Sequence, residues 1–488
     1  MTTSSQSAGS TGRSVARGAA WLYGATIATA VLQFGYAAIT SRIVGADGFG
    51  AYAVALSAGA LVALIGTAGI PGAVGRMVSL DKTKLRALSV AAVWLGLASG
   101  LVLVLTAPLW AALWRTPEAA PAIRATAVGA ACAPLLGLLT ALTRRLGRFR
   151  WLAGATVGSS AVGMLVGVLV VLRSRNAESL VFASVASQLL LTVALYSAAR
   201  MEFEGRWRAK SALSELSYSA KLTGSRMVAY LSGNVGRWSV TTSLGAAAFG
   251  QWNRAEAVST VPFHQLQSAM MQATYPEFRH DREGPERAFR IWADVVAMVA
   301  WVAVPLACVG AVIVPLLVPA LFGPGWETAA RMVPVLMIAG GIQCVVMILS
   351  SALEALGVFK WLWLAQCAAL TVQIAGAIGV AVTHSIVPVF IALPLSLVVF
   401  HAVDVVAGSR LGYLSWRRLA RHYVAIATAS ILIALVTWVS VLAFRTGWPG
   451  AVAAVVCLAG VALYVWRKRE SLPPIRLARE YGLLGARS

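Results

Sequence analysis

Long apolar stretches recur along almost the whole of this chain. Each has roughly 20 residues, the length that an α-helix needs to cross a hydrocarbon core of about 30 Å. Hydrophobic residues make up 59% of the 488 residues and charged residues only 12%, whereas a soluble domain has about a quarter charged residues. The sequence also lacks a matching number of amphipathic helices that could cover these stretches in water. We therefore predict an all-α polytopic membrane protein.

The stretches predict about fourteen transmembrane helices. The loops between them are too short to form a domain, so any specificity must come from the helices. The predicted spans are residues 18–40, 50–74, 87–107, 121–143, 151–172, 179–199, 222–244, 248–274, 291–317, 329–352, 361–382, 386–408, 422–443 and 450–466.

The formal charge of +22 raises the question of a nucleic-acid partner, and the placement of the basic residues answers it. With the N-terminus inside, roughly 30 basic residues fall in one set of alternate loops and termini and about seven in the opposite set. This asymmetry follows the positive-inside rule, so we predict that both termini are cytoplasmic. We expect affinity for anionic lipid head groups and no nucleic-acid partner.

The N-terminus and the cysteines each exclude a class of structure. The first apolar run is longer than that of a cleaved signal peptide and has no convincing cleavage site after it, so we expect the first span to be retained. The cysteines all lie in predicted spans without C-x-x-C spacing, which predicts neither disulfides nor a metal site. No cofactor is expected. The cysteines are Cys132, Cys308, Cys344, Cys367 and Cys457.

An internal repeat divides the chain. The segment IVGADGFGAYAVA (residues 43–55) aligns with SLGAAAFGQWNRA (residues 243–255), and both lie at the turn between the first and second spans of a six-span block. One interpretation is that Gly-x-x-x-Phe-Gly only makes a tight turn before a helix, which leaves the matched positions unexplained. The aligned turn glycines are Gly45 with Gly245 and Gly50 with Gly250.

Because six is even, the two blocks would enter the membrane in the same orientation and face each other across a central cleft. The last two spans lie outside the repeat and are predicted to be an accessory pair. The predicted parts are an N-terminal tail, an N-lobe, a linker, a C-lobe, the accessory spans and a C-terminal tail: residues 1–17, 18–199, 200–221, 222–409, 410–466 and 467–488.

Ionisable side chains inside the spans are candidate functional residues, since each costs at least about 2.5 kcal/mol in hydrocarbon. We assign Arg237, Arg254 and Asn234 to the binding of an anionic phosphate group, because guanidinium groups offer planar, bidentate donors. The alternative is that Arg254 and Glu256 satisfy each other or extend toward the interface. The hairpin of spans seven and eight is the most polar and contains Arg226, Asn234, Arg237, Arg254, Glu256 and His264.

Other charged residues lie near the ends of the spans. Glu256 and Asp404 are candidates for ion coupling. Asp404, like Asp294 and Glu354, lies near a cytoplasmic span end, where neutralisation of the helix end is the favoured role and ion coupling the alternative. Arg42 and Arg76 bracket the second span and are candidate contacts at the two mouths of the cleft, with interfacial anchoring as the alternative.

Three segments resemble a known family. They are SRIVGADGFGAYAVALS, SLGAAAFGQWNRAEAVSTVPFHQLQSAMMQATYPEFRHDR and LFGPGWETAARMVPVL, at residues 41–57, 243–282 and 321–336. They look like the corresponding segments of the polysaccharide biosynthesis export family, the Wzx-type oligosaccharide-lipid flippases of the multidrug/oligosaccharidyl-lipid/polysaccharide exporter superfamily. The likeness runs from about Ala16 to Arg421.

The resemblance implies two six-helix lobes in a V-shaped arrangement with a cationic central cavity. It also implies movement of polyprenyl-diphosphate-linked oligosaccharide from the cytoplasmic to the outer leaflet of a bacterial inner membrane. Many relatives have an acid before the arginine at position 237, where this chain has Gly236. The expected partners are the lipid-linked saccharide, membrane lipids and polysaccharide assembly proteins.

Three other functions fit the sequence less well. A peptidoglycan-precursor flippase would have more arginines near span one, where only Arg13 and Arg17 lie. A drug/cation antiporter would need buried carboxylates in the first lobe, and the acids there lie in loops or at interfaces. A glycosyltransferase or polymerase would need catalytic residues on an ordered outer loop, and the outer loops are short and poor in acids. We therefore expect no enzyme.

Overall fold

The structure, a computed structural model, describes residues 4–67, 69–77, 79–205, 209–280, 285–445 and 467. Within these residues the regular structure is entirely helical: fourteen α-helices and one 3₁₀ helix, Arg200–Phe203. The α-helices are α1 (Ser4–Ser41), α2 (Ala46–Thr67), α3 (Ile70–Arg76), α4 (Lys82–Leu113), α5 (Ala119–Arg145), α6 (Phe149–Ser174), α7 (Ala177–Ala199), α8 (Ala209–Leu244), α9 (Ala246–His280), α10 (Pro285–Phe322), α11 (Glu327–Leu356), α12 (Phe359–Thr383), α13 (Val387–Arg410) and α14 (Trp416–Arg445).

The long helices match the predicted spans one for one. All the described α-helices except α3 have 22 residues or more, and each contains most of one of the first thirteen predicted spans. Eleven of the described helices are long and apolar enough to cross a membrane. The prediction of an all-α polytopic membrane protein is confirmed. The fourteenth predicted span, residues 450–466, lies outside the described residues.

Two predicted spans form helices that are less apolar than the others. They are α8 and α9, predicted spans seven and eight, and neither is among the eleven apolar helices. Both carry the polar and charged residues that the sequence marked as functional candidates. Hydrophobicity alone therefore does not explain why these two helices are in the bundle.

Short polar side chains fix where some of the helices begin. The Asp81 carboxylate accepts hydrogen bonds from the backbone N–H groups of Thr83 at 2.7 Å and Lys84 at 3.4 Å, which caps α4. Asn176 caps α7 in the same way through the N–H of Ser179 at 3.1 Å. Both caps satisfy backbone donors that have no acceptor inside the helix.

The chain forms two compact units, residues 1–251 and 252–488. In the first unit, α5 packs against α2, α4 and α7, and α6 packs against α1 and α7. Its apolar core includes Leu85, Leu88 and Leu138, all of which are fully buried. Helix α8 contacts α2, α3 and α4 of the same unit.

In the second unit, α10 packs against α11 and α14, while α13 packs against α11 and α12. A small apolar core here includes Val346, Ala365 and Phe400. Helix α14, which is predicted span thirteen, contacts α10 along much of its length. The predicted division into two six-span lobes and an accessory pair stays a prediction.

Candidate functional site

Three polar residues of α8, spaced at i, i+4 and i+7, lie on one face of the helix. They are Tyr230, Asn234 and Arg237. The Asn234 amide donates a hydrogen bond to the backbone carbonyl of Tyr230 at 2.9 Å, and Nη1 of Arg237 lies 3.5 Å from the Asn234 side-chain oxygen. The Tyr230 hydroxyl donates to the backbone carbonyl of Ser57 on α2. This face of α8 is therefore held against α2 at one end and presents a half-buried arginine at the other.

The end of α8 is fixed to the turn between α4 and α5. The indole N–H of Trp238 donates to the carbonyl of Leu113 at 2.9 Å. Just beyond the turn into α9, the Phe249 ring stacks on Trp114 with ring centroids 5.6 Å apart. Both contacts lie within the first unit, and they hold the α8–α9 turn in one position.

The aligned turn glycines lie at the starts of two helices. Helices α2 and α9 begin at the aligned residues Ala46 and Ala246. A methyl group added to Gly50 would overlap the Ala246 carbonyl oxygen and lie 2.9 Å from its Cα. A methyl group added to Gly250 would overlap the Ala46 carbonyl oxygen and lie 2.9 Å from its carbonyl carbon. The starts of α2 and α9 therefore cross with their backbones in contact. Each glycine allows the backbone of the other helix to approach closely.

The other aligned pair of glycines behaves differently. Gly245 has φ +90°, a conformation that residues with a side chain rarely adopt. Gly45 does not have a positive φ, and a methyl group added to it would meet no other atom within 4 Å. Only Gly245 of this pair requires glycine.

Arg254 belongs to the second unit and is buried, with 8% of its surface exposed. Its Nη2 donates to the side-chain oxygen of Asn253 at 2.8 Å, and its guanidinium carbon lies 5.9 Å from the centroid of the Phe322 ring. Glu256 follows in the same helix and is half-buried. In this structure Arg254 is therefore less accessible to a ligand than Arg237.

Asp404 is fully buried on α13, six residues before the helix ends at Arg410. The hydroxyl of Ser350, on α11, lies 2.5 Å from one of its carboxylate oxygens. The other oxygen is buried and makes no hydrogen bond. Because a helix-end charge effect falls off within the last turn, neutralisation of the helix end does not account for this carboxylate.

Asp294 is also fully buried, and it is paired across the second unit. Nε and Nη2 of Arg418, on α14, each lie 2.7 Å from one of its carboxylate oxygens. Nε2 of His422 lies 3.4 Å from the same carboxylate. Helix-end neutralisation was therefore the wrong interpretation of Asp294, because this residue binds a second helix. The sequence gives no sign of this pair, since Asp294 and Arg418 are 124 residues apart in the chain.

The structure describes the remaining candidates less fully. Arg42 follows α1 directly and is exposed. Arg76 is the last residue of α3, and its side chain is outside the part that the structure describes. The Arg226 side chain is also outside them. In the part of the chain that the structure describes, no group of three or more His, Cys, Asp or Glu side chains could hold a metal ion.

Comparison with known proteins shows the family of this chain. The sequence profile of the polysaccharide biosynthesis protein family matches residues 39–331, which is more than half of the chain. This chain belongs to that family. The resemblance seen in the three sequence segments is thereby confirmed, and the matched range includes α2–α10 and with them Arg237, Arg254 and all four aligned glycines.

A curated relative supports the same family. The succinoglycan biosynthesis transport protein ExoT of Rhizobium meliloti (strain 1021) is 26% identical to this polysaccharide biosynthesis family member over 337 residues. The match covers 68% of this chain and 67% of the relative.

Two solved structures show the fold. The lipid II flippase MurJ in an inward closed conformation has a TM-score of 0.70 at 10% identity, covering 92% of this chain and 99% of that one. A multidrug resistance MATE family transporter of the MOP superfamily, in an inward-facing conformation, has a TM-score of 0.60 at 14% identity, covering 79% and 94%. This family member thus shares the fold of these two solved structures.

Proposed function

We propose that this protein is a flippase that moves polyprenyl-diphosphate-linked oligosaccharide from the cytoplasmic to the outer leaflet by alternating access, for cell-surface polysaccharide biosynthesis. The observation that carries the proposal is family membership over residues 39–331, in a chain with the fold of solved transporters. The protein acts in the bacterial inner membrane with both termini in the cytoplasm, in accordance with the distribution of its basic residues. Its partners are the lipid-linked saccharide, membrane lipids and polysaccharide assembly proteins.

The arginines give the transport step its chemistry. A guanidinium group keeps its charge when partly desolvated and binds two phosphate oxygens at once. Arg237 is half-buried and is oriented by Asn234, so of the two arginines in this site it is the one that the diphosphate contacts first. Arg254 is held by Asn253 and against Phe322, and it contacts the diphosphate only after the helices around it have moved.

The direct test is reconstitution of the full chain in liposomes with a fluorescent polyprenyl-diphosphate oligosaccharide. A membrane-impermeant quencher added outside then reports which leaflet holds the probe. We expect the quenchable fraction to change with time in liposomes that contain the protein and to stay constant in empty ones. Equal behaviour of the two, with protein that is folded by its thermal transition, contradicts the proposal. A lipid II analogue run in parallel distinguishes the peptidoglycan-precursor alternative, and a fluorescent organic cation the antiporter alternative.

Replacement of Arg237 or Arg254 by alanine is expected to lower the flipping rate by roughly 10- to 100-fold, because a hydrogen-bonded contact to a charged group contributes about 1.5–3 kcal/mol. Lysine at either position should restore only part of the rate, since it cannot bind two oxygens in one plane. Arg173→Ala, at an exposed arginine in the last turn of α6, is the matched control. Wild-type rates for both alanine variants would remove these residues from the binding site.

Asp404 is the stronger of the two candidates for ion coupling, ahead of Glu256, because its carboxylate is fully buried and has one oxygen without a hydrogen bond. A buried carboxylate of this kind is stabilised by taking up a proton or another cation. We expect Asp404→Asn to remove the dependence of flipping on an imposed pH or sodium gradient, while the amide still accepts from Ser350. Ser350→Ala should keep that dependence. A gradient response in Asp404→Asn equal to that of the wild type contradicts the assignment.

A further inference from the structure

A groove of about 560 Å³ runs between α1 and α6 in the first unit. Its lining is apolar and consists mostly of glycine and alanine, with Trp21 at one end and Val157 at the other. On α1 the groove runs from Ala20 to Ala28, a length of about 12 Å at the rise of an α-helix. None of the residues assigned to diphosphate binding or ion coupling lines it.

The floor of the groove is backbone. A methyl group added to Gly24 on α1 or to Gly154 on α6 would meet no other atom within 4 Å. These two helices pack closely elsewhere, so the glycines leave open space and not a tight helix contact. The result is an apolar groove with open space above both glycines.

The end of the groove on the predicted cytoplasmic side is cationic and aromatic. The guanidinium carbon of Arg150 lies 5.0 Å from the centroid of the Trp21 ring, and Arg150 precedes the groove residues of α6 by one turn. Close by, Arg148 and Trp151 line a second depression of about 310 Å³. Arg148 donates to the carbonyl of Ala198, and the Trp151 indole donates to that of Ala194 at 3.1 Å. Tryptophan and arginine in this arrangement favour the head-group level of a bilayer.

We propose that this groove binds the head-proximal isoprenoid segment of a polyprenyl diphosphate, with the diphosphate beside Arg150 in the inner leaflet. The inference rests on the proposed function and deepens it by adding a site outside the one that holds Arg237. An anionic head at the cationic end and an apolar chain in the groove satisfy both of its features. The open space above Gly24 and Gly154 accommodates the methyl branches of an isoprenoid.

The test uses the full chain in liposomes of phosphatidylcholine with a polyprenyl diphosphate that carries a photoreactive group in its second isoprene unit. After irradiation, peptide mapping identifies the labelled helices. We expect label on α1 and α6, displaced by excess unlabelled polyprenyl diphosphate and not by the same excess of phosphatidylglycerol. Equal displacement by both lipids would make the groove a site for any anionic lipid and overturn the proposal.

Variants that fill the groove test whether labelling depends on its open space. Gly24→Leu and Gly154→Leu should each reduce labelling about tenfold, since each displaces the equivalent of roughly two buried methylene groups. Gly35→Leu is the matched control, because Gly35 lies on the same helix, also has no atom within 4 Å of an added methyl group, and is outside the groove. Unchanged labelling in both groove variants overturns the proposal.

The flipping assay separates this inference from the proposed function. If the protein flips the lipid-linked saccharide but the label does not map to α1 and α6, the groove assignment is wrong and the function stands. If the label maps to the groove with the expected competition and no lipid-linked saccharide is flipped, the groove is a lipid site and the proposed function is wrong.

Discussion

Alanine at Gly50 or Gly250 is expected to stop transport, and the double variant is expected to be the more severe. In each single variant the added methyl group overlaps a backbone carbonyl oxygen of the other helix start. Backbone cannot move aside as a flexible side chain can, so α2 and the first turn of α9 must separate. Overpacking of this kind costs about 1–3 kcal/mol for each site. The loss should appear in the flipping assay and as a lower thermal unfolding temperature of the purified protein.

Gly45→Ala is the control for this pair, because an added methyl group there meets no atom within 4 Å and the residue has no positive φ. It should flip at the wild-type rate and keep the wild-type unfolding temperature. Gly245→Ala should be impaired for another reason, the strain of a side chain at φ +90°. A wild-type flipping rate in both Gly50→Ala and Gly250→Ala would show that transport does not require this crossing.

Only part of the contact between α2 and α9 could be predicted from the sequence. Alignment of the two segments identified Gly50 and Gly250 as equivalent residues, and the helices do begin at equivalent positions. It could not show that each glycine faces the partner's backbone, because nothing in a sequence gives the distance between two aligned segments. The physical reason for these glycines became visible only when the two helix starts were placed together.

The helices themselves could be predicted because the bilayer constrains their length. An apolar run of about 20 residues has few alternatives to a spanning helix, and the first thirteen predicted spans all correspond to helices. Helices α8 and α9 were also predicted from their apolar runs, although they are less apolar than the other long helices. The helical turns that extend beyond the predicted spans, such as Ala209 to Lys221 in α8, were missed because polar helical turns carry no hydrophobic signal.

The polar site was predicted in part. The spacing of Asn234 and Arg237 can be read from the sequence, since residues three apart share a helix face. The partners of Asp404 and Asp294 could not be read, because Ser350 and Arg418 are 54 and 124 residues away in the chain. Charged residues near predicted span ends are commonly assigned to the interface. Burial inside a bundle is a tertiary property that such an assignment cannot detect.

Breaking the pair between Asp294 and Arg418 is expected to have the largest effect on stability. The Asp294 carboxylate is fully buried, and both of its oxygens lie 2.7 Å from an Arg418 nitrogen. Removing one partner of such a pair costs about 3–5 kcal/mol, because the other charge stays buried and loses its bidentate partner. Arg418 has 37% of its side chain exposed. We therefore expect Arg418→Ala to lower the free energy of unfolding by an amount near the lower end of this range. Thermal unfolding in detergent measures the loss.

The neighbouring residue provides the control. Arg417 is exposed and lies over the Trp416 ring with 5.7 Å between its guanidinium carbon and the ring centroid. Arg417→Ala should change the free energy of unfolding by less than about 1 kcal/mol, which is the usual contribution of an exposed charge contact. A comparable loss in both alanine variants would mean that the general charge of α14, and not its pairing with α10, determines stability.

A double-mutant cycle tests the pairing itself. Asp294→Asn and Arg418→Gln should each destabilise the protein, since each leaves one charge without its partner. The double variant should be destabilised by less than the sum of the two, because neither charge remains to be buried alone.

The turn between α13 and α14 keeps other contacts with α10. The Trp292 and Tyr413 rings stack with their centroids 5.3 Å apart, and the N–H of Ser415 donates to the Phe289 carbonyl at 3.2 Å. These contacts should keep α14 folded onto α10 in all three variants, so the coupling measured by the cycle belongs to the ion pair. Additive losses would show that Asp294 and Arg418 stabilise the second unit independently.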